Sequence, residues 1–180
     1  MKYVLSFFFV FCFIFLAFFG VSCLYAKIFP LKYQNEIAVA SQTFEVDPVL
    51  VASVINSESS FNSVAVSAKG AEGLMQILPT TAEYLAKKLK YGDYDLKNPE
   101  DNIMLGTYYL SLLFDDFDDE VLVLCSYNAG PTNVKNWLSN DDCFDENNNL
   151  KIPFKETKEY VEKCLRAKKY YNTKRDAFEI

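Results

Sequence analysis

The sequence predicts a mainly α-helical domain with at most a minor β element, preceded by an N-terminal hydrophobic segment. Three observations support this. Apolar residues recur at three- and four-residue spacing along nearly the whole chain. No internal repeat and no sustained strand-like alternation is visible. The first 26 residues form an apolar segment, and the remainder of the 180-residue chain fits one domain with a core of its own. We therefore expect a signal peptide or membrane anchor at 1–26 and a globular domain at 27–180.

The N-terminal segment carries no charge from Tyr3 to Ala26 and consists mostly of Phe, Val, Leu and Ile. Lysines flank it at Lys2 and Lys27. A helix that is apolar on every face must be covered completely, which a domain of this size can hardly provide. The segment is therefore expected to contact the membrane or to direct export.

Three alternatives remain for this segment. A stretch of about 20 apolar residues can span a bilayer, which favours an uncleaved anchor. Cleavage after Ala26 would make it a signal peptide. Gly20–Cys23 loosely resembles a bacterial lipobox, which would make the chain a lipoprotein modified at Cys23. All three predict that the globular part lies outside the cytoplasm, in the periplasm or cell envelope, either free or held at the inner membrane.

The first helices of the globular part lead to a glutamate. A helix is expected over about Lys32–Phe44, with one apolar face formed by Ile37, Ala40, Ser41 and Phe44. Asp47 as N-cap and Pro48 in the first turn then start a second helix, which ends near Glu58. A loop rich in Ser, Ala and Gly follows.

The later helices are marked by prolines and apolar stripes. Pro79 opens a helix to about Leu89, and Asn98 with Pro99 opens another. Further helices are expected at Val121–Tyr127, which ends at Asn128–Pro131, and at about Phe154–Tyr171. Short extended pieces around Leu74–Ile77 are expected to form a small sheet.

Composition excludes several classes of function. The formal net charge is -6, so nucleic acid is an improbable partner, because phosphate binding needs clustered Lys and Arg. The basic run Lys163–Arg175 fits a solvated face of the last helix. The chain has no His. Acid–base chemistry must therefore use carboxylates, Tyr or Lys.

The cysteines give little support for a metal site. Cys125, Cys143 and Cys164 lack the C-x-x-C spacing of zinc sites, and we expect no metal and no cofactor. An exported domain can form one disulfide, for which Cys143 with Cys164 is the most plausible pair, although the sequence leaves the pairing open. Cys125 is then a small buried side chain.

Glu58 is the candidate catalytic residue. It lies where an apolar helix stops, so its carboxyl group is expected to be half in the core and half in a cleft. Such a position disfavours the charged form and raises the pKa, which suits a proton donor. A glutamate exposed at a helix end is the competing interpretation.

Five sequence blocks in a fixed order surround this glutamate. They are Glu58–Phe61, Ser67–Pro79, Asn102–Gly106, Ser126–Pro131 and Glu156–Val161. Together they resemble the catalytic domain of the soluble lytic transglycosylases, relatives of goose-type lysozyme, and the resemblance covers about Asn35–Arg166. It implies an α+β lysozyme-like fold.

The resemblance implies cleavage of peptidoglycan glycan strands without a cofactor. In that family one Glu, matched here by Glu58, protonates the β-1,4 linkage between N-acetylmuramic acid and N-acetylglucosamine. It then deprotonates the C6 hydroxyl, which gives a 1,6-anhydro end. A hydrolytic muramidase and a non-catalytic peptidoglycan-binding envelope protein are the alternatives. Partners in envelope assembly remain unidentified.

The same blocks supply the candidate substrate-binding residues. Ser67 and Gln76 could bind an acetamido group, and Gly73 could admit a sugar close to the backbone or serve only the turn. Met75 could contact a sugar face or belong to the core. Aromatic, amide and acidic groups complete the set, with core packing or helix capping as the competing roles for some of them: Tyr109, Tyr127, Asn128 and Glu156.

Overall fold

A computed structural model of the chain describes residues 13–16, 19–20, 24–147 and 149–178. The chain divides into two compact units, Met1–Leu31 and Lys32–Ile180. In the first unit, residues 13–16, 19–20 and 24–28 are helical, and the rest of the predicted apolar segment falls outside the described residues. Within the described residues, no helix is both long and apolar enough to cross a membrane.

The second unit is built from α-helices, as the sequence predicts. Their bounds are α1 (Gln34–Phe44), α2 (Pro48–Ser59), α3 (Pro79–Leu89), α4 (Pro99–Asp116), α5 (Glu120–Ala129), α6 (Pro131–Leu138) and α7 (Lys155–Asn172). Short 3-10 helices lie at Asp141–Cys143 and Arg175–Phe178. The starts predicted from Asp47 and Asn98 are confirmed, because the Asp47 side chain accepts from the Val49 N–H at 3.0 Å and Asn98 from the Glu100 N–H at 2.8 Å.

Helix α2 lies at the centre of this unit. Every residue from Val49 to Ser57 is buried, so the helix is covered on all its faces until its last turn. It packs against α7 along much of its length and also against α1. The buried helix therefore carries Glu58 from the core to the surface.

The expected extended piece at Leu74–Ile77 is wrong. Residues 73–76 form a turn closed by an isolated antiparallel bridge, in which Glu72 and Ile77 exchange two backbone hydrogen bonds of 3.0 Å. Gly73 (φ 78°) and Gln76 (φ 49°) are left-handed, a conformation that an extended strand excludes. Among the described residues the β structure is limited to isolated bridges, here, between Val66 and Glu72, and between Phe144 and Leu150.

The expected disulfide between Cys143 and Cys164 does not form. Both cysteines are free, as is Cys125. The physical reason is that Cys164 is fully buried in the core on α7, whereas Cys143 is half-exposed in the 3-10 helix that follows α6. Cys125 is fully buried, as expected.

The C-terminal basic run is more than a solvated face. Arg175 donates to both carboxylate oxygens of Asp47, at 2.9 and 3.1 Å. Lys168 contacts Glu120 and lies 3.9 Å from Asp47. These ion pairs hold the chain's last turns against the N-terminal end of α2, because Asp47 is also the N-cap of that helix.

Candidate active site

The side chain of Glu58 lies in the wall of a cleft of about 340 Å³. The cleft is lined by Glu58, Ser67, Ala68, Lys69, Ala71, Gln76, Leu78, Tyr127, Asn128 and Glu156. The structure thus brings the following predicted site residues together: Glu58, Ser67, Gln76, Tyr127, Asn128 and Glu156. They come from the end of α2, the loop after it, the end of α5 and the start of α7.

The environment of Glu58 raises the pKa of its carboxyl group, so that a large fraction stays protonated near neutral pH. Burial raises its pKa from 4.5 to about 7, and it is the largest effect on this group. The hydroxyl of Tyr160 and the positive charge of Lys163 act against burial and lower the pKa, whereas the negative charge of Glu156 raises it. A group with a pKa near 7 can both donate and accept a proton at neutral pH.

Helix α7 faces Glu58 with a stripe of polar groups. Glu156, Tyr160 and Cys164 are spaced four residues apart, so they lie on one face of the helix. Tyr160 is buried beside Glu58 and acts on its carboxyl group, and the sequence analysis did not single it out. The signal was present, because Tyr160 belongs to the same block as Glu156 and follows it at helical spacing.

The turn at residues 73–76 positions Gln76 at the cleft. The side-chain NH₂ group of Gln76 donates to the carbonyl oxygens of Ala65, at 3.2 Å, and Gly73, at 2.9 Å. Both amide hydrogens are therefore used within the protein, and the amide oxygen remains as an acceptor. Ser67 is complementary, because its Oγ accepts from the Ala71 N–H at 3.0 Å and its hydroxyl hydrogen remains as a donor.

Three predicted site residues lie behind the cleft rather than in its lining. The Met75 side chain is fully buried, with Gly106 against it, and the Tyr109 ring packs on Tyr127 with centroids 5.3 Å apart. Gly73 is buried as well, and a Cβ there would lie 2.1 Å from the Leu96 carbonyl oxygen. These positions support the cleft wall from within.

Asn102 is a further residue that the sequence analysis did not single out. Its side-chain oxygen accepts from the Met75 N–H at 2.7 Å, and its NH₂ group donates to the carbonyl oxygens of Glu72, at 3.0 Å, and Leu96, at 2.9 Å. The side chain is fully buried. Asn102 therefore anchors the turn to α4. The only sequence signal for this residue was its position in one of the five blocks.

Tyr127 and Asn128 connect this turn to α7. The Tyr127 hydroxyl donates to the Met75 carbonyl oxygen at 2.8 Å, and burial raises its pKa well above 10.0, so it stays neutral. The Thr157 hydroxyl donates to the Asn128 side-chain oxygen at 2.8 Å. In the part of the chain that the structure describes, no group of three or more His, Cys, Asp or Glu is placed to hold a metal ion.

The raised pKa of Glu58 predicts that folding stability depends on pH. The folded state binds the proton more tightly than the unfolded state, so the contribution is complete below pH 4.5 and is lost as pH rises through about 7. The difference is up to about 3 kcal/mol. We expect denaturant midpoints at pH 5 and pH 8 to show that the stability of Glu58→Gln relative to the wild type is clearly greater at pH 8 than at pH 5. An equal difference at both pH values would contradict a raised pKa.

Comparison with known proteins identifies related chains. Residues 35–150 match the family model described as "Transglycosylase SLT domain". The chain is 34% identical over 154 residues to the soluble lytic murein transglycosylase of Salmonella typhimurium, covering 79% of this chain and 23% of that protein. It is 34% identical over 123 residues to the membrane-bound lytic murein transglycosylase C of Edwardsiella ictaluri, covering 61% and 34%.

A solved structure shows the same fold. The lytic transglycosylase Slt from Pseudomonas aeruginosa, determined as an inactive mutant, superimposes with a TM-score of 0.74 at 31% sequence identity. The match covers 83% of this chain and 25% of that one. The chain thus spans about a quarter of the length of the soluble relative and of this structure.

Proposed function

The chain belongs to the transglycosylase SLT domain family, and from that premise we propose that it is a peptidoglycan lytic transglycosylase. The proposed reaction cleaves the β-1,4 bond between N-acetylmuramic acid and N-acetylglucosamine and leaves 1,6-anhydromuramic ends. One observation carries the proposal: Glu58 lies in the cleft with its pKa raised to about 7 by burial. An acid held in this way suits proton donation to a glycosidic oxygen.

In the proposed mechanism Glu58 acts twice. Its protonated form gives the proton to the glycosidic oxygen as the bond to the anomeric carbon breaks. The resulting carboxylate then takes the proton of the C6 hydroxyl, whose oxygen closes onto the anomeric carbon. Glu58 ends protonated again, and no water is consumed. A pKa near 7 favours both steps, since the cost of each proton transfer is balanced.

The second carboxylate of the cleft has a different proposed role. Glu156 lines the cleft, and its negative charge favours the protonated form of Glu58. We therefore assign Glu156 the role of keeping Glu58 protonated, and not the role of a nucleophile. A further acidic residue near the cleft, Glu72, forms an ion pair with Lys97, with the charged atoms 3.8 Å apart.

Ser67 and Gln76 are proposed to bind an acetamido group. The Ser67 hydroxyl can donate to the acetamido carbonyl, and the Gln76 amide oxygen can accept from the acetamido N–H. A second cavity of about 560 Å³ shares Lys69, Asn128 and Glu156 with the catalytic cleft. The two cavities together suit a glycan strand that extends beyond one sugar.

We also propose that residues 1–26 export the chain to the cell envelope, as a signal peptide or membrane anchor, with lipidation at Cys23 as a third form. The uncharged stretch Tyr3–Ala26 supports this. A membrane-bound relative is in keeping with an anchored form. The periplasm, where peptidoglycan is accessible, is the proposed location, and residues 27–180 are the proposed catalytic domain.

Mass spectrometry of the muropeptides released from purified peptidoglycan tests the proposed reaction. We expect products with anhydromuramic ends, which lack one water relative to hydrolysis products. Reducing ends would instead identify a hydrolytic muramidase. If a control muramidase releases products and this protein releases none, the non-catalytic binding role takes precedence.

Tyr127→Phe is expected to lower activity about tenfold and the free energy of unfolding by about 1–2 kcal/mol. The change removes the hydrogen bond to the buried Met75 carbonyl oxygen and leaves that oxygen without this donor. Rates of muropeptide release and urea unfolding measure the two effects. The matched control is Tyr84→Phe, because Tyr84 is exposed on α3. Equal behaviour of the two variants would remove Tyr127 from the site.

A further inference from the structure

Lys163 reaches from α7 to the end of the helix that carries Glu58. Its Nζ donates to the carbonyl oxygen of Ser57, the residue before Glu58, at 2.6 Å. The last four carbonyl groups of a helix have no partner within the helix, and the Ser60 N–H caps that of Asn56. Lys163 therefore satisfies the next carbonyl of the last turn, with a positive charge where the helix dipole is negative.

This hydrogen bond joins two helices that are far apart in the sequence. Lys163 and Ser57 are separated by 106 residues in the chain, and the aliphatic part of the lysine must cross from one helix to the other. Helices α2 and α7 pack against each other, so the distance that the lysine side chain spans is fixed by two rigid elements. The last turn of α2 is thereby held at the position from which Glu58 points into the cleft.

The groups that face Glu58 come from three parts of the chain. Helix α7 contributes Glu156, Tyr160, Lys163 and Cys164, helix α5 contributes Tyr127, and the loop after α2 brings Lys69 to the same cleft. Of the two α7 charges that act on Glu58, Glu156 is negative and Lys163 is positive. The two charges have opposite effects on the proton of Glu58.

We propose that Lys163 is a positioning residue for the reaction, which holds the last turn of α2 and sets the upper end of the pH range in which Glu58 acts as an acid. This inference rests on the proposed function. Removing the positive charge favours the protonated form of Glu58, so the upper limb of the pH profile moves to higher pH. For one partly solvated charge near the carboxyl group the expected shift is about half a pH unit.

The test is the pH dependence of kcat/KM for muropeptide release by the full-length protein between pH 5 and 9. Lys163→Met is expected to move the upper limb up by about half a pH unit. Lys163→Arg keeps the charge and is expected to restore the wild-type position. Lys163→Gln keeps a donor without the charge, so it should show the shift with a smaller loss of thermal stability than Lys163→Met.

Lys158→Met is the matched control, because Lys158 is an exposed lysine of the same helix and does not act on Glu58. The proposal is overturned if Lys163→Met and Lys163→Gln lower the rate by one factor at every pH, which is the result of a structural tie alone. It is also overturned if Lys158→Met shifts the limb equally. A wild type that releases no anhydromuramic product would refute the proposed function instead.

Discussion

Glu58→Gln is expected to lower the rate of muropeptide release from peptidoglycan by about a thousandfold or more. An amide of nearly the same shape cannot give a proton to the glycosidic oxygen, and it cannot take one from the C6 hydroxyl. Both proposed steps are lost together because one group performs them. Quantitative mass spectrometry of anhydromuramic products, with the wild type and the variant at equal concentration and pH, measures the loss.

Glu72→Gln is the matched control for this experiment. Glu72 does not line the cleft, and its carboxylate is paired with Lys97 at 3.8 Å at partly exposed positions. Its neutralisation is expected to change the rate less than about threefold, since an exposed ion pair contributes little. A Glu58→Gln variant with wild-type activity would show that another group is the acid. Comparable losses in both variants would indicate a general effect of charge.

The same burial that suits Glu58 to catalysis costs stability. A carboxyl group held half in the core is tolerated because its proton is retained, and the cost appears only when the pH forces ionisation. Lys163 and Tyr160 favour the ionised form of Glu58 and reduce this cost, whereas the negative charge of Glu156 increases it. The pKa of Glu58 therefore depends on how α2 and α7 pack against each other.

Local signals explain which parts of the fold the sequence predicts. Helices α2, α3 and α4 begin at Pro48, Pro79 and Pro99, because proline fits the first turn of a helix. In α2 and α4 the residue before the proline also caps the helix. The capping bonds of Asp47 and Asn98 join atoms two residues apart. Such contacts are legible in a short stretch of sequence, without knowledge of the rest of the chain.

The turn after Glu72 shows why other parts escape prediction. Leu74–Ile77 is apolar except for Gln76 and matches a short strand, yet its conformation is set by Asn102, which lies about 30 residues further along the chain. The sequence leaves Met75 open between a sugar contact and a core position for the same reason, since only the fold reveals that Gly106 packs against it. Interactions between distant residues decide both cases.

The family resemblance supplied what the local pattern could not. It marked Ser67, Gln76, Tyr127 and Asn128 as one site, and the structure places them around one cleft with Glu58. It gave no role to Tyr160 or Lys163, whose contacts depend on how α7 packs against α2. A block of sequence locates a site, whereas the directions of its side chains come from the packing of the helices.

Asn102→Ala is expected to lower the free energy of unfolding by about 3–5 kcal/mol. Three hydrogen bonds are lost, with the Met75 N–H and with the carbonyl oxygens of Glu72 and Leu96, at a side chain that is fully buried. The released turn also carries Gln76 and receives the Tyr127 hydroxyl, so activity should fall even where the variant is folded. Urea unfolding measures the first effect, and muropeptide release at 10–15 °C, where the folded fraction is largest, measures the second.

Asn140→Ala is the control that separates the network from the loss of an asparagine. Asn140 is exposed and its side chain makes one capping bond, with the Asp142 N–H at 3.1 Å, so we expect a loss of about 1 kcal/mol or less. A similarly small loss for Asn102→Ala would mean that the exchange of backbone hydrogen bonds between Glu72 and Ile77 holds the turn without help. A large loss of stability with full activity per folded molecule would mean instead that the turn supports the fold and not the cleft. The combined loss that we expect follows from one geometric fact: the side chain that anchors the turn lies directly beneath the residues proposed to bind the sugar.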